Sequence, residues 1–309
     1  MRLLSFSTLA LVFTLATTVA RAQFPIARPD HVVVVIEENH GYSQIIGSSD
    51  APYINGLAAG SALLTNSHGV ERPSQPNYLD LFSGSNQGVA HNNDPGFFSA
   101  PSLGGSLITA GFTFTGYAQS MPSVGFTGLV GGPGNRYVRK HNPWVDFLDV
   151  PTTANRPFTD FPTDFNQLPT VAFVVPDLMD GMHDGTVAQG DSWLQANLGS
   201  YATWAMTHNS LLIVTWDEDN FTPENHIPTL FYGPMIAAGL SNQNVNHFNV
   251  LRTIEDMYAL PLLGQSASAQ PLLLGSNAPE PSSGLLTLSA ALLLPVILRS
   301  LRYRHPTQI

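Results

Sequence analysis

Acidic residues in this chain come in groups, and each group follows an apolar run. Glu37, Glu38 and Asn39 close "HVVVVIEEN", Asp177, Asp180, His183 and Asp184 follow "TVAFVV", and Asp217, Glu218 and Asp219 follow "SLLIVTW". A further run, "HIPTLFYGP", begins with His226. Carboxylate and amide oxygens suit hard divalent cations, and imidazoles move the balance toward borderline ones. The carboxylates alone suggest Ca²⁺ or Mg²⁺; with His183 and His226 the choice widens to Zn²⁺, Mn²⁺ or Fe. Brought together without a cation, these acids repel and raise one another's pKa. A bound divalent metal ion resolves that conflict.

A nucleophile candidate lies in "HGVERPSQPNYLDLFSG". Tyr78, Leu79 and Phe82 share one face if Gln75–Phe82 is helical, which puts Ser74 near the N-cap, where backbone N–H groups attract negative charge. Ser74 is then either a plain capping residue or a hydroxyl that a neighbouring metal activates. No Gly-x-Ser-x-Gly elbow is present, which argues against an α/β-hydrolase esterase. The stretch "NRYVRKHNPWVDF" concentrates Arg136, Arg139, Lys140 and His141 in an otherwise acidic chain. Such an island implies an anionic ligand or a local ion-pair site.

These groups need a scaffold that brings distant segments together. The three runs before the acids are mostly β-branched and do not alternate, as in strands buried on both faces. "HIPTLFYGP" and "FTFTGYAQ" are compatible with the same sheet. Helices are expected at Ala51–Ala59, Gln75–Phe82, Ser192–His208 and Asn246–Tyr258. Alternation of strand and helix implies an α/β fold, whose ligands bind beyond the carboxyl ends of the strands. The acidic clusters fall at those ends.

The formal net charge is −10, and residues 23–280 carry all 22 acids against seven of the 12 Lys and Arg. Nucleic acid is excluded as a partner, because phosphate backbones need clustered basic residues. There is no cysteine, so the core rather than disulfides must hold the chain. "MRLLSFSTLALVFTLATTVARAQ" has the layout of a signal peptide, expected at 1–22. One domain is expected at 23–263, with a Ser/Ala/Gly/Pro-rich linker at 264–283. Pro-Glu-Pro, an apolar run from Gly284 to Leu298 and a basic end complete the chain. That run is short for a bilayer span, which takes about 20 residues. The pattern over 279–304 resembles the PEP-CTERM sorting signal of Gram-negative bacteria. That resemblance implies an exosortase-type sorting enzyme as partner and transient membrane contact through the C-terminal segment. The destination it implies is the cell envelope, cell surface or extracellular matrix.

The segments "EENHGYSQIIG", "RPSQPNYLDLFSG", "GYAQSMP", "YVRKHNPWVDF", "VPDLMDGMHDG", "TWDEDN" and "HIPTLFYGP" together resemble, in order, the phosphoesterase family of bacterial acid phosphatases and alkaline-phosphatase-like phospholipases C. The likeness spans His31 to Tyr258 and is nearest to single-domain acid phosphatases. It implies a three-layer α/β/α sandwich with a mostly parallel central sheet and metal-assisted phosphoryl transfer. It makes Glu38, Asn39, Asp217 and Glu218 metal ligands and Ser74 the nucleophile. Asp180, His183 and His226 match positions that hold a second ion or the leaving group. Asn77, Arg139, Lys140 and His141 match phosphate contacts. The family pattern more often has His-Pro-Ser where this chain has Arg72-Pro73-Ser74, so Arg72 either binds phosphate or alters the nucleophile's surroundings.

The implied activity is hydrolysis of phosphate monoesters, on a phosphorylated small molecule or a phospholipid head group. A phosphodiesterase of phospholipase C type is the alternative within the family. Two other readings compete: a two-carboxylate glycosidase, against which the four scattered tryptophans count, and a surface protein that binds ions without catalysis.

Overall fold

The computed structural model describes residues 25–92 and 96–276. Strand β1 (His31–Glu37) is central and pairs in parallel with β5 (Val171–Val175) and β6 (Ser210–Trp216). The run is apolar on both faces because both are covered. Val32, Val34 and Ile36 enter one core with Leu79 and Phe82, while Val33 and Val35 enter a second with Ile54, Leu198 and Tyr201. Helices α2 (Ser74–Ser83), α3 (Leu103–Thr109) and α5 (His247–Met257) supply the first core. Helices α1 (Pro52–Gly60) and α4 (Val187–Ala205) supply the second. This is the expected α/β/α sandwich.

The remaining strands are β2 (Ala62–His68), β3 (Phe114–Ala118), β4 (Asn155–Pro157), β7 (His226–Tyr232), β8 (Gly239–Ser241) and β9 (Val245–Asn246). Among the described residues the sheet has nine strands, in the order β8-β2-β7-β6-β1-β5-β3-β4, with β9 also on β2. Only the pairings of β7, with β2 and with β6, are antiparallel. The reversal places His226, at the amino end of β7, on the edge where the parallel strands present their carboxyl ends. The register pairs Glu37 with Trp216, which sets Glu38 beside Asp217.

Helix α4 starts five residues earlier than the expected Ser192, because the Thr186 side chain caps it by accepting from the Gln189 N–H. Strand β2 was not expected: Thr65, Asn66 and His68 are only half-buried, so "ALLTNSH" lacks a long apolar run. The expected linker at 264–283 is also corrected over its first part. Leu272 and Leu274 are buried, the Ala237 N–H donates to Leu274 O at 2.7 Å, and Ser266 Oγ donates to Glu255 at 2.6 Å. Among the described residues no helix is long and apolar enough to cross a membrane. The expected signal peptide and sorting segment lie outside the described residues.

Candidate active site

Where β1 ends, the chain turns sharply and two strand ends are stitched together. The Glu38 N–H donates to Gly181 O at 2.9 Å, and the Asp217 N–H donates to Glu37 O at 3.0 Å. Asn39 then takes a left-handed conformation, φ 54°, which Asn tolerates better than most residues. Its N–H donates to Asp217 Oδ1 at 3.1 Å.

Ser74 is the first residue of α2, so the amino end of that helix faces the acids. Its Oγ donates toward Glu38 Oε2 at 3.4 Å and Glu218 Oε1 at 3.3 Å. One turn further along, Tyr78 donates its hydroxyl hydrogen to Glu38 Oε1. The Tyr78 ring stacks on His141 with centroids 5.1 Å apart, and His141 Nε2 lies 3.1 Å from Glu38 Oε1. His183 adjoins His141 at 5.6 Å between ring centroids. Lys140 Nζ donates to His183 Nε2 at 3.3 Å, while His183 Nδ1 donates to Asp184 Oδ1 at 2.7 Å.

Burial drives the electrostatics. It raises Glu38 well above the usual carboxylate range, with Asp217's charge adding to the effect. Asp217 is also raised by burial, against the opposing N–H bonds from Asn39 and Glu218. Glu218 is pushed up to about 7 by burial and then by Asp217, partly offset by Arg72. His141 is driven well below the ordinary imidazole value by burial and by the positive charge of Lys140.

These residues fit a cation. Among the described residues, ligand atoms of Glu38, His141 and His183 lie within 4.8 Å of one another. Asp217 Oδ2, Glu218 Oε2 and His141 Nε2 are buried without a hydrogen-bond partner, a costly state that a metal ion relieves. Glu218 Oε2 does lie 3.5 Å from Arg72 Nη1, which is ion-pair range rather than hydrogen-bond geometry.

A family model for the Phosphoesterase family matches residues 48–261, most of the domain that carries this site. The chain belongs to the Phosphoesterase family. It is 48% identical over 245 residues to a phosphatidylinositol-3-phosphatase of Mycobacterium tuberculosis, covering 78% of this chain and 81% of that one. It is 30% identical over 229 residues to a phosphate-repressible acid phosphatase of Penicillium chrysogenum, covering 68% of this chain and 55% of the fungal one. The fold is shared with a lipoteichoic acid synthase of Listeria monocytogenes at 12% identity and TM-score 0.57, covering 81% and 77% of the two chains. It is shared also with a Vibrio parahaemolyticus protein of the alkaline phosphatase superfamily at 11% identity and TM-score 0.55, covering 80% and 72%.

In this phosphoesterase the structure gathers Ser74, Glu38, Asn39, Asp217 and Glu218, and sets Lys140, His141 and His183 beside them. Other residues singled out in the sequence have different partners. Asp180 accepts from Gln119 at 2.6 Å and Gln189 at 2.9 Å, so both carboxylate oxygens are engaged in holding loops. His226 Nε2 donates to Thr65 O at 3.0 Å, with its ring between Tyr42 and His68. Asn77, expected as a phosphate contact, is fully buried and accepts from the N–H groups of Val70 and Glu71 at 2.9 and 2.8 Å. Its amide also donates to Glu71 O at 2.8 Å, so it shapes the turn before Ser74. Arg139, another expected phosphate contact, is a buried brace whose Nε donates to Asp146 at 2.9 Å. Arg72 pairs with Asp219 and donates to Asp219 O at 3.1 Å and Thr222 O at 3.0 Å. It therefore ties the nucleophile segment to the acidic loop.

Two site residues were not foreseen in these roles. Tyr78 was legible, since it stands four residues after Ser74 and hence on the same helical face. His141 as a neighbour of Glu38 was not, because the two stand 103 positions apart in the chain and meet only in the folded protein.

Proposed function

We propose that this phosphoric ester hydrolase is an exported, metal-dependent phosphomonoesterase that uses Ser74 as nucleophile. The observation that carries the reading is the seating of Ser74 Oγ between Glu38 and Glu218, at 3.4 and 3.3 Å, on the first residue of a buried helix. The names of the relatives, a phosphoinositide phosphatase and an acid phosphatase, support a monoester over a diester.

Glu38, Asn39, Asp217 and Glu218 would hold the metal ion, and His141 and His183, whose ring nitrogens lie within 4.8 Å of a Glu38 oxygen, could add imidazole ligands. Bound there, a divalent cation supplies Lewis acidity and neutralises charge on the phosphoryl oxygens. The protein's own groups do the rest. The Ser74 hydroxyl proton passes to one of the carboxylates that flank its Oγ, at 3.4 Å from Glu38 and 3.3 Å from Glu218. Ser74 Oγ attacks phosphorus in line, the bond from phosphorus to the ester oxygen breaks, and that oxygen leaves in the alcohol with the proton the carboxylate had taken. The helix amino end and the Lys140 ammonium offset negative charge on the transferred group. Water then attacks the phosphoserine, phosphate leaves, and Ser74 regains its proton.

The test is phosphate release from p-nitrophenyl phosphate by the purified chain supplied in turn with Zn²⁺, Mn²⁺, Fe²⁺, Mg²⁺ and Ca²⁺. Loss of turnover in Ser74→Ala and on chelation is expected. Undiminished turnover by Ser74→Ala overturns the assignment of the nucleophile.

A further inference from the structure

Helix α5 carries an imidazole where its pattern calls for an apolar side chain. His247, Val250, Leu251 and Ile254 stand at i, i+3, i+4 and i+7, so they form one stripe, and none is more than 1% exposed. The last three pack into the first core. His247 instead turns a ring nitrogen to the sheet: Nε2 donates to Trp216 O at 3.0 Å. A carbonyl only accepts, so the proton is on Nε2 and Nδ1 is left as an acceptor. Burial lowers the imidazole to about 4, against the opposing bond to Trp216, so the ring is uncharged near neutral pH. Among the described residues Nδ1 is buried without a hydrogen-bond partner. An unpartnered buried acceptor is costly, and an apolar residue in the stripe would avoid it. What the imidazole adds is the bond made by Nε2.

That bond falls on a particular peptide unit. The Trp216 carbonyl and the Asp217 N–H belong to one planar group. The N–H is held from the β1 side, by Glu37 O at 3.0 Å. The ladder between β6 and β7 ends at the Thr215–Thr229 pair, so the Trp216 carbonyl lies beyond it and His247 takes the place of a strand. With both polar atoms engaged, the plane is held against rotation, and Asp217 and Glu218 follow directly from it. The support is itself fixed. Asn246 pairs with His68 in the ladder between β9 and β2, and its side chain caps α5 by accepting from the Phe248 N–H at 3.0 Å. His247 therefore reaches β6 from a helix end that is built into the sheet.

We propose that His247 is a positioning residue that, by fixing the Trp216–Asp217 peptide, aims the Asp217 and Glu218 carboxylates into the site that fits a cation. The proposal rests on the metal-site part of the reading above and adds to it a residue that touches neither ion nor substrate. Groups that orient metal ligands are typically worth roughly 10–100-fold in metal affinity.

The experiment is calorimetric titration of the full chain with Mn²⁺ and, separately, Zn²⁺, without substrate and well below the thermal midpoint. His247→Leu continues the apolar stripe without a donor and should bind the ion at least about tenfold more weakly than wild type. His247→Gln keeps an N–H near the place of Nε2 and should restore most of the affinity. A residue that only filled space would move the thermal midpoint and leave the affinity alone. Wild-type affinity in His247→Leu, or no recovery in His247→Gln, overturns the proposal. Should His247→Leu fail to fold, His247→Met serves as the donor-free variant under the same criterion. If wild type binds neither ion, the metal reading falls, and amide exchange decides the positioning. The Asp217 N–H should then exchange about tenfold faster in His247→Leu than in wild type or His247→Gln, and equal rates overturn the proposal. The phosphatase reading stands or falls separately, on the Ser74→Ala assay.

Discussion

Tyr78 donates its hydroxyl hydrogen to Glu38 Oε1 from one helical turn beyond Ser74, whose Oγ addresses the other oxygen of the same carboxylate. One buried glutamate is thus oriented from both sides by a single helix. Removing the hydroxyl leaves Glu38 short of a donor while keeping the ring that stacks on His141. A hydrogen bond to a charged group is worth about 1.5–3 kcal/mol, so Tyr78→Phe should lower kcat/KM by about 10–100-fold. Circular dichroism of the variant should match wild type. Full activity in Tyr78→Phe would show that Glu38 needs no such guide.

Arg72 couples two segments that meet only in the folded chain. Burial by itself raises Asp219, but hydrogen bonds from Thr222 and Arg72 outweigh it and hold the carboxyl below its usual range. Arg72→Met leaves that buried carboxylate without its cation. A loss of about 2–4 kcal/mol in urea unfolding is expected, with Arg72→Lys losing less because it keeps the charge but not the fork of donors. Equal stability of wild type and Arg72→Met would reduce the arginine to a surface residue.

Asp80 makes stability depend on pH. It is buried on α2 with Oδ2 unpartnered, and burial, then the charge of Glu71, pushes its pKa up to about 8. The folded chain therefore keeps this proton where the unfolded chain has lost it, between about pH 4 and 8. Stability falls as pH rises through that window, by up to about 1.4 kcal/mol per unit. Glu255, raised by burial to about 7, acts in the same direction over a narrower range. Asp80→Asn should be more stable than wild type at pH 8 and show a shallower decline between pH 5 and 8. Denaturant midpoints across that range would reveal a parallel, unchanged slope if Asp80 were not protonated.

Gly84 closes α2 in the left-handed region, φ 70°, and a Cβ placed there would stand 2.0 Å from Leu263 O. The adjoining backbone is fixed as well, since the Gln265 N–H donates to Gly84 O at 2.8 Å. Gly84→Ala combines the conformational penalty with displacement of the packed 263–265 segment. A cost above about 2 kcal/mol is expected, seen as a lower thermal midpoint. A midpoint within a degree of wild type would mean that the segment yields freely.

Metal addition should stabilise before it catalyses. Three buried acids whose pKa values are all raised destabilise one another, and a cation bound to the folded form alone adds stability in proportion to its occupancy. The thermal midpoint of Ser74→Ala protein should rise with added divalent ion and fall on chelation. A midpoint indifferent to both would argue that the carboxylates settle their repulsion by protonation alone.

Much of the architecture was written in local patterns. The unbroken runs at Val32–Ile36, Val171–Val175 and Leu211–Val214 identify strands covered on both faces, because only burial on both sides tolerates apolar residues without alternation. The acids after those runs point to one edge of the sheet, and the spacing of Ser74 and Tyr78 puts both on one face of a helix. Strand β2, half polar, carried no such signal. Roles that depend on partners were not legible either. Asn77, Arg139, Asp180 and His226 have the same side chains as ligands or phosphate contacts have, and only the atoms that meet them decide otherwise. His141 meets Glu38 from 103 positions further along the chain, with its ring stacked on that of Tyr78. Residue type and periodicity determine which strands are buried and at which edge the acids emerge. Which of those polar groups stay free for a metal or a substrate is a property of side-chain packing between distant segments, and the tertiary structure alone decides it.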